Sequence, residues 1–208
     1  MNILLADDHF VVRRGLRDIL QEEFPNAKFD EVSDGHELVK RIRTSPYDIV
    51  ISDLSMPGKN GLEALKIIKT EFPTIPVLIL SIHPEELYAI RVLKAGASGY
   101  MTKESAPEEL VKAVKLIMNG RKYITPSLAE KMVSKLDHDF SKLPHELLSD
   151  RELDVLKMIA GGKTISEIAN ELSLSVNTIS TYRARVLEKM NLKTNSELTY
   201  YAISNQLI

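Results

Sequence analysis

Ile49-Val50-Ile51-Ser52, followed at once by Asp53, decides the fold. The run is short, almost wholly apolar and rich in β-branched residues, and it stops on a carboxylate. Runs of the same build occur at Ile3–Ala6, Val77–Ser81 and Gly99–Met101, with a weaker one at Ala27–Val32. Longer segments with helical apolar spacing alternate with them: Val12, Leu16, Ile19 and Leu20; Leu38 and Ile42; Leu62, Leu65 and Ile68; Leu87, Ile90 and Leu93; Leu110, Val114 and Ile117. Apolar strands alternating with crossover helices predict a parallel sheet buried on both faces. Right-handed crossovers make that an open, doubly wound α/β fold. Gly96 and Gly120 stand where helices would end, and Pro107 stands where one would begin.

After Gly120 the pattern changes. Residues Arg121–Leu148 mix charges, Pro126, Pro144 and polar residues, with one short helix expected over Ser127–Leu136. From Ser149 onward only helical patterns remain: Arg151–Ala160, Ile165–Leu172, Val176–Met190 and Ser196–Leu207. The expected organisation is an α/β domain over 1–121, a partly helical linker over 122–146 and an all-α domain over 147–208.

Composition agrees with two ordinary domains: 208 residues, 27% charged and 44% hydrophobic. A net charge of −2 excludes a polycationic chain, so any nucleic-acid surface must be local. The absence of cysteine excludes disulfides and thiolate metal sites and fits a reducing compartment. The apolar start Ile3–Ala6 is too short for a signal peptide, and no apolar run approaches the roughly 20 residues of a membrane helix. A soluble cytoplasmic protein with no membrane partner is expected.

Asp7 and Asp8 follow the first strand, Asp53 follows the third, Ser81 ends the fourth and Lys103 follows the fifth. In an open α/β sheet, sites form outside the carboxyl ends of the strands, where strand order reverses. The order 2-1-3-4-5 places that reversal between strands one and three, so three carboxylates distant in sequence converge. Taken singly, Asp7 or Asp8 reads equally as a helix N-cap. Three acids at close range need a counter-charge. Mg2+ suits them, because it takes a few carboxylates together with phosphate oxygens and water. Lys103 adds an ammonium on the opposite side, giving a nucleophilic carboxylate, a metal and a cation around one phosphoryl group.

The residues Asp7-Asp8-His9, Asp53-Leu-Ser-Met56-Pro57-Gly58 with Gly61, Ser81, Gly96-Ala97 with Gly99-Tyr100, and Lys103 resemble the receiver domains of response regulators. The resemblance covers residues 1–120 and implies a flavodoxin-like fold. It implies phosphorylation of Asp53 by a sensor histidine kinase. Mg2+ would be bound by Asp8 and Asp53 directly, by Asp7 through water and by the backbone carbonyl of Ser55. Ser81 would capture a phosphoryl oxygen, with Tyr100 moving inward behind it. Lys103 is followed by Glu104 where many receivers carry proline. His9 and His83 lie near the crevice without metal-ligand spacing and read as loop residues.

In the last segment, Ser149 and Glu152 form a capping-box pattern. The helices on either side of Ser173-Leu174-Ser175 have helix-turn-helix proportions. On the second of them Ile179, Val186 and Met190 must face inward, with Tyr182 or Arg183 at the seam. Asn177, Ser180, Thr181 and Ala184 point away, flanked by Arg183, Arg185 and Lys189. Such a helix enters the major groove with small polar side chains at base edges and arginines at phosphates. The plainer alternative is a solvated amphipathic face. Leu148-Ser149 with Arg151-Glu152, Glu167-Ile168-Ala169, Ser175, Thr178-Ile179 and Lys189-Met190 are similar to the LuxR-type helix-turn-helix, which with the receiver gives the NarL/FixJ layout. That resemblance implies a tetrahelical domain binding double-stranded promoter DNA. Its contacts would come from Ser175, Asn177, Thr178, Ser180, Thr181, Arg183, Ala184, Arg185 and Lys189. It also implies a homodimer favoured by phosphorylation. Tyr182 replaces the histidine of many relatives. An Asp-based phosphatase is disfavoured, because Ser55 stands where a second acid is needed. The expected function is regulation rather than turnover of a substrate. A partner-protein module is the remaining rival.

Overall fold

Five strands form one parallel sheet: β1 (Asn2–Ala6), β2 (Lys28–Val32), β3 (Ile49–Asp53), β4 (Val77–Ser81) and β5 (Gly99–Thr102), in the order β2-β1-β3-β4-β5. The computed structural model describes residues 1–57, 60–105, 107–137, 143–205 and 207–208, apart from the side chains of 86, 87, 131 and 133–137. Gly58 of the expected motif and residues 138–142 of the expected linker lie outside that description. The crossover helices are α1 (Phe10–Glu23), α2 (Gly35–Thr44), α3 (Gly61–Glu71), α4 (Glu85–Lys94) and α5 (Pro107–Met118).

Strand alternation sends Ile3, Leu5, Ile51, Leu78 and Leu80 to one face, where they pack with Leu20, Val114 and Ile117. Leu4, Val50, Val77, Ile79 and Tyr100 go to the other face and are buried as well. Each fully buried aliphatic side chain contributes about 1.5–3 kcal/mol. β2 is the weak run because it is an edge strand with only Val32 buried. The ends of α4 and α5 are set by Gly96 (φ +101°) and Gly120 (φ +74°), where a left-handed turn lets the chain bond back onto the helix carbonyls.

The chain divides into two compact units, Met1–Ser134 and Lys135–Ile208, with the division inside α6 (Pro126–Asp137). A 3-10 turn at Pro144–Leu147 leads to α7 (Asp150–Ala160), α8 (Ile165–Glu171), α9 (Val176–Lys189) and α10 (Asn195–Ser204). The last helix stops before the expected Leu207, because the chain turns back: the Leu207 amide donates to Ala202 O at 2.8 Å and its side chain is buried. Ser149 and Glu152 form the expected capping box, and Thr164 with Glu167 forms a second one. No helix among the described residues is long and apolar enough to cross a membrane.

Candidate functional site

Parallel pairing brings the strand ends together. Ala6 is in register with Ser52, and Asp53 with Leu80, so Asp7, Asp53 and Ser81 emerge side by side. The Lys103 amide donates to Ser81 O at 2.8 Å, which sets the loop after β5 beside β4. Asp7, Asp53 and Ser81 are all buried. The Lys103 ammonium sits 2.6 Å from Asp7 Oδ2 and 2.9 Å from Asp53 Oδ2. It therefore bridges two of the acids, which as buried carboxylates without a shared cation would repel.

Burial pushes the Asp53 carboxyl above its ordinary value; Lys103 pulls it back, and the Asp7 charge pushes it up again. For Lys103, burial lowers and the two carboxylates raise, with a net upward shift that keeps the ammonium charged. A Ser55 amide bond also supports the ionised Asp53.

Asp8 and His9 complete the cluster. One donor atom from each of Asp7, Asp8, His9 and Asp53 lies within 4.8 Å of the others. His9 Nδ1 is 2.8 Å from Asp8 Oδ1, and the His9 amide donates to Asp7 Oδ1 at 2.8 Å. His9 stands in the loop after β1, as expected, and is exposed while its ring reaches the Asp8 carboxylate. Arg13 Nη1 donates to the Asp7 carbonyl at 2.5 Å, a contact no sequence pattern announced. Asp7 Oδ2 is buried and, although ion-paired to Lys103, has no hydrogen bond of acceptable geometry. Carboxylate oxygens clustered this closely are hard donors of the kind a divalent cation takes.

Ser81 Oγ accepts from the His83 amide at 3.0 Å, and the Tyr100 hydroxyl donates to the His83 carbonyl at 2.8 Å. Tyr100 is fully buried behind the end of β4. Gly61 lies directly beneath the acceptor: a Cβ there would be 2.0 Å from Asp53 O. Asn60 caps α3 at that point, accepting from the Glu63 amide at 2.8 Å.

In the second unit, α8 and α9 are joined by a tight turn in which Ser173 has φ +54°. Ser175 caps α9, accepting from the Thr178 amide at 3.1 Å. Ile179, Val186, Leu187 and Met190 are buried, while Ser175, Asn177, Ser180, Thr181, Ala184 and Arg185 are exposed. Thr178, Tyr182 and Arg183 are half-buried. Two expected phosphate contacts have protein partners. Arg183 Nε donates to Asn195 Oδ1 at 2.7 Å. Lys189 Nζ donates to Glu152 Oε2 at 2.6 Å, because that buried carboxylate needs a cation. Burial works against ionised Glu152, but Lys189 and the Ser149 bonds outweigh it and hold the carboxyl below its ordinary value.

Comparison with known proteins agrees with this geometry. Residues 3–115 match the response regulator receiver domain, and residues 146–202 match the luxR family of bacterial regulatory proteins. The chain is 38% identical over 208 residues to the response regulator UvrY of Escherichia coli K12, covering all of this chain and 95% of that protein. It is 36% identical to the oxygen regulatory protein NreC of Staphylococcus carnosus, covering all of this chain and 99% of that one. Among solved structures, RcsB of Salmonella enterica serovar Typhimurium, bound to promoter P1flhDC with phosphomimetic BeF3-, superposes with a TM-score of 0.60 at 28% identity, covering 97% of both chains.

Proposed function

The chain belongs to the response regulators that join a receiver to a LuxR-type DNA-binding domain, and from that premise we propose that Asp53 is its phosphoacceptor and α9 its DNA-reading helix. The receiver spans 1–121, the linker 122–146 and the regulatory domain 147–208. The observation that carries the reading is the Lys103 ammonium shared between Asp7 and Asp53, with Asp8 and His9 in the same cluster.

An Asp53 carboxylate oxygen attacks the phosphorus of a phosphohistidine on a sensor kinase. The new P–O bond forms as the P–N bond breaks, and the imidazole leaves and takes up a proton. Lys103 pairs with the developing negative charge, and the Ser81 hydroxyl, released from the His83 amide, donates to a phosphoryl oxygen. Asp7, Asp8, Asp53 and the Ser55 carbonyl would hold Mg2+, which would supply charge neutralisation. Tyr100 closes behind Ser81. The phosphorylated form favours a homodimer that places two α9 helices in successive half-sites of promoter DNA. On α10, Tyr200 and Ile203 are exposed apolar side chains suited to that dimer. At the DNA, Ser175, Asn177, Thr178, Ser180, Thr181 and Ala184 face the base edges. Arg185, which makes no ion pair among the described residues, takes a phosphate, with Arg183 beside it. The protein works in the cytoplasm as a regulator whose only chemistry is gain and loss of its own phosphoryl group.

Incubation with acetyl phosphate and Mg2+ should add one phosphoryl mass to the wild type, labile to hydroxylamine, and none to Asp53→Ala. Equal labelling of both proteins would place the acceptor elsewhere.

A further inference from the structure

At the pole of the sheet opposite Asp53, the residues that precede β3, β4 and β5 line a pocket of about 440 Å³ with the ends of α3 and α5. Three cations converge on it: Lys69 from α3, and Arg121 and Lys122 just after α5. The single carboxylate in its wall, Asp48, is already engaged, accepting from the Asn2 amide at 2.6 Å and lying 4.0 Å from the N-terminal ammonium. Arg121 and Lys122 make no ion pair or side-chain hydrogen bond among the described residues.

Lys69 is held in place. Its stem crosses Gly96, where an added Cβ would meet Lys69 Cγ at 3.0 Å. Its ammonium donates to the carbonyls of Ile75 at 2.5 Å and Pro73 at 3.4 Å, which leaves one of three N–H groups unused. Burial and then the neighbouring Lys122 charge lower its pKa, as expected of a cation that lacks a counter-charge.

We infer that this pocket binds a phosphate-bearing small molecule. A concave site with a fixed ammonium, a guanidinium fork and a second ammonium suits two or more phosphate charges, and its volume lies in the range of small-ligand sites. Such a ligand would bear on the root of the linker. Tyr123 follows Lys122, pairs in a parallel bridge with Gly99 and donates its hydroxyl to Glu109 at 2.8 Å. Binding would therefore fix the start of the linker by a route independent of Asp53.

The test is a titration of the 15N-labelled full chain with pyrophosphate at constant ionic strength, followed by amide shifts. Saturable shifts centred on Ser98, Gly120, Arg121 and Lys122, weakened at least tenfold in the double variant Arg121→Glu/Lys122→Glu, are expected. Both of those side chains are exposed, so the variant keeps its fold; Lys69→Gln should weaken binding as well. The same titration with a nucleoside triphosphate, a sugar phosphate and inorganic phosphate distinguishes the sources. The proposal is overturned if shifts do not saturate, if the double variant responds like the wild type, or if they centre on Lys103. It is also overturned if duplex DNA displaces pyrophosphate, since the pocket would then be a contact for a nucleic-acid backbone.

Discussion

Gly61 supports Asp53 from below, with room for a hydrogen and nothing more: a methyl group at residue 61 would reach within 2.0 Å of the Asp53 carbonyl oxygen. The constraint is space and not conformation, because Gly61 is not among the residues with positive φ. The atom in the way is backbone, so no rotamer change relieves the clash. Gly61→Ala should cost about 1–3 kcal/mol in urea unfolding. Phosphorylation by acetyl phosphate should fall further, on the order of 10²-fold, because the acceptor is displaced. A variant that unfolds more easily but labels at the wild-type rate would show that Gly61 does not position Asp53.

The buried Asp53 carboxylate is a cost to the fold. A carboxyl whose folded value is raised favours folding fully below the ordinary aspartate value of 3.8, and that advantage is lost as pH rises through the raised value. Asp53→Asn should therefore stabilise the protein at pH 7 by about 1–2 kcal/mol, since Lys103 keeps Asp7 as a partner. The gain should shrink as pH falls toward 3.8. Denaturation midpoints across that range check it, and a pH-independent difference would exclude ionisation as the cause.

Glu152 has the opposite sign. Its lowered carboxyl contributes stability above the ordinary glutamate value of 4.5, and that contribution is lost as pH falls through the lower folded value. Lys189→Met leaves a buried carboxylate without its cation and should cost about 3 kcal/mol in the second unit. Adding Glu152→Gln should recover part of that loss. If the two substitutions are simply additive, the pair is not coupled.

Thr125 links α4 to α6. Its hydroxyl donates to the Glu85 carboxylate at 2.8 Å and accepts from the Leu128 amide at 3.2 Å. Thr125→Val should remove the cap, cost about 1 kcal/mol and speed amide exchange in the first turn of α6. Glu85→Gln should retain most of the protection, because an amide oxygen still accepts. Equal exchange in Thr125→Val and the wild type would mean that the cap is idle.

Tyr47 gives a spectroscopic check on the fold. Burial, and then its 2.5 Å hydrogen bond to Asp30, push its phenol up to about 12. Asp30→Asn should bring the ultraviolet titration of that tyrosine to lower pH. An unchanged titration would mean that the bond is not made in solution.

The sequence by itself determined the sheet, its strand order and the convergence of Asp7, Asp8, Asp53, Ser81 and Lys103. Strand-end chemistry depends on period and topology: the apolar runs carry the period, and the resemblance to receiver domains implies the strand order. It also determined the buried stripe of α9, because Ile179, Val186 and Met190 recur at helical spacing. Only the tertiary structure decided which partner each polar group takes. The sharing of Lys103 between two acids, the seating of His9 on Asp8, the place of Gly61 under Asp53 and the capture of Lys189 by Glu152 are distances across elements. The last pair lies 37 residues apart in the chain. A charge of this kind looks free in sequence because the buried group that needs it is set by packing, and burial is what makes an unpaired carboxylate expensive.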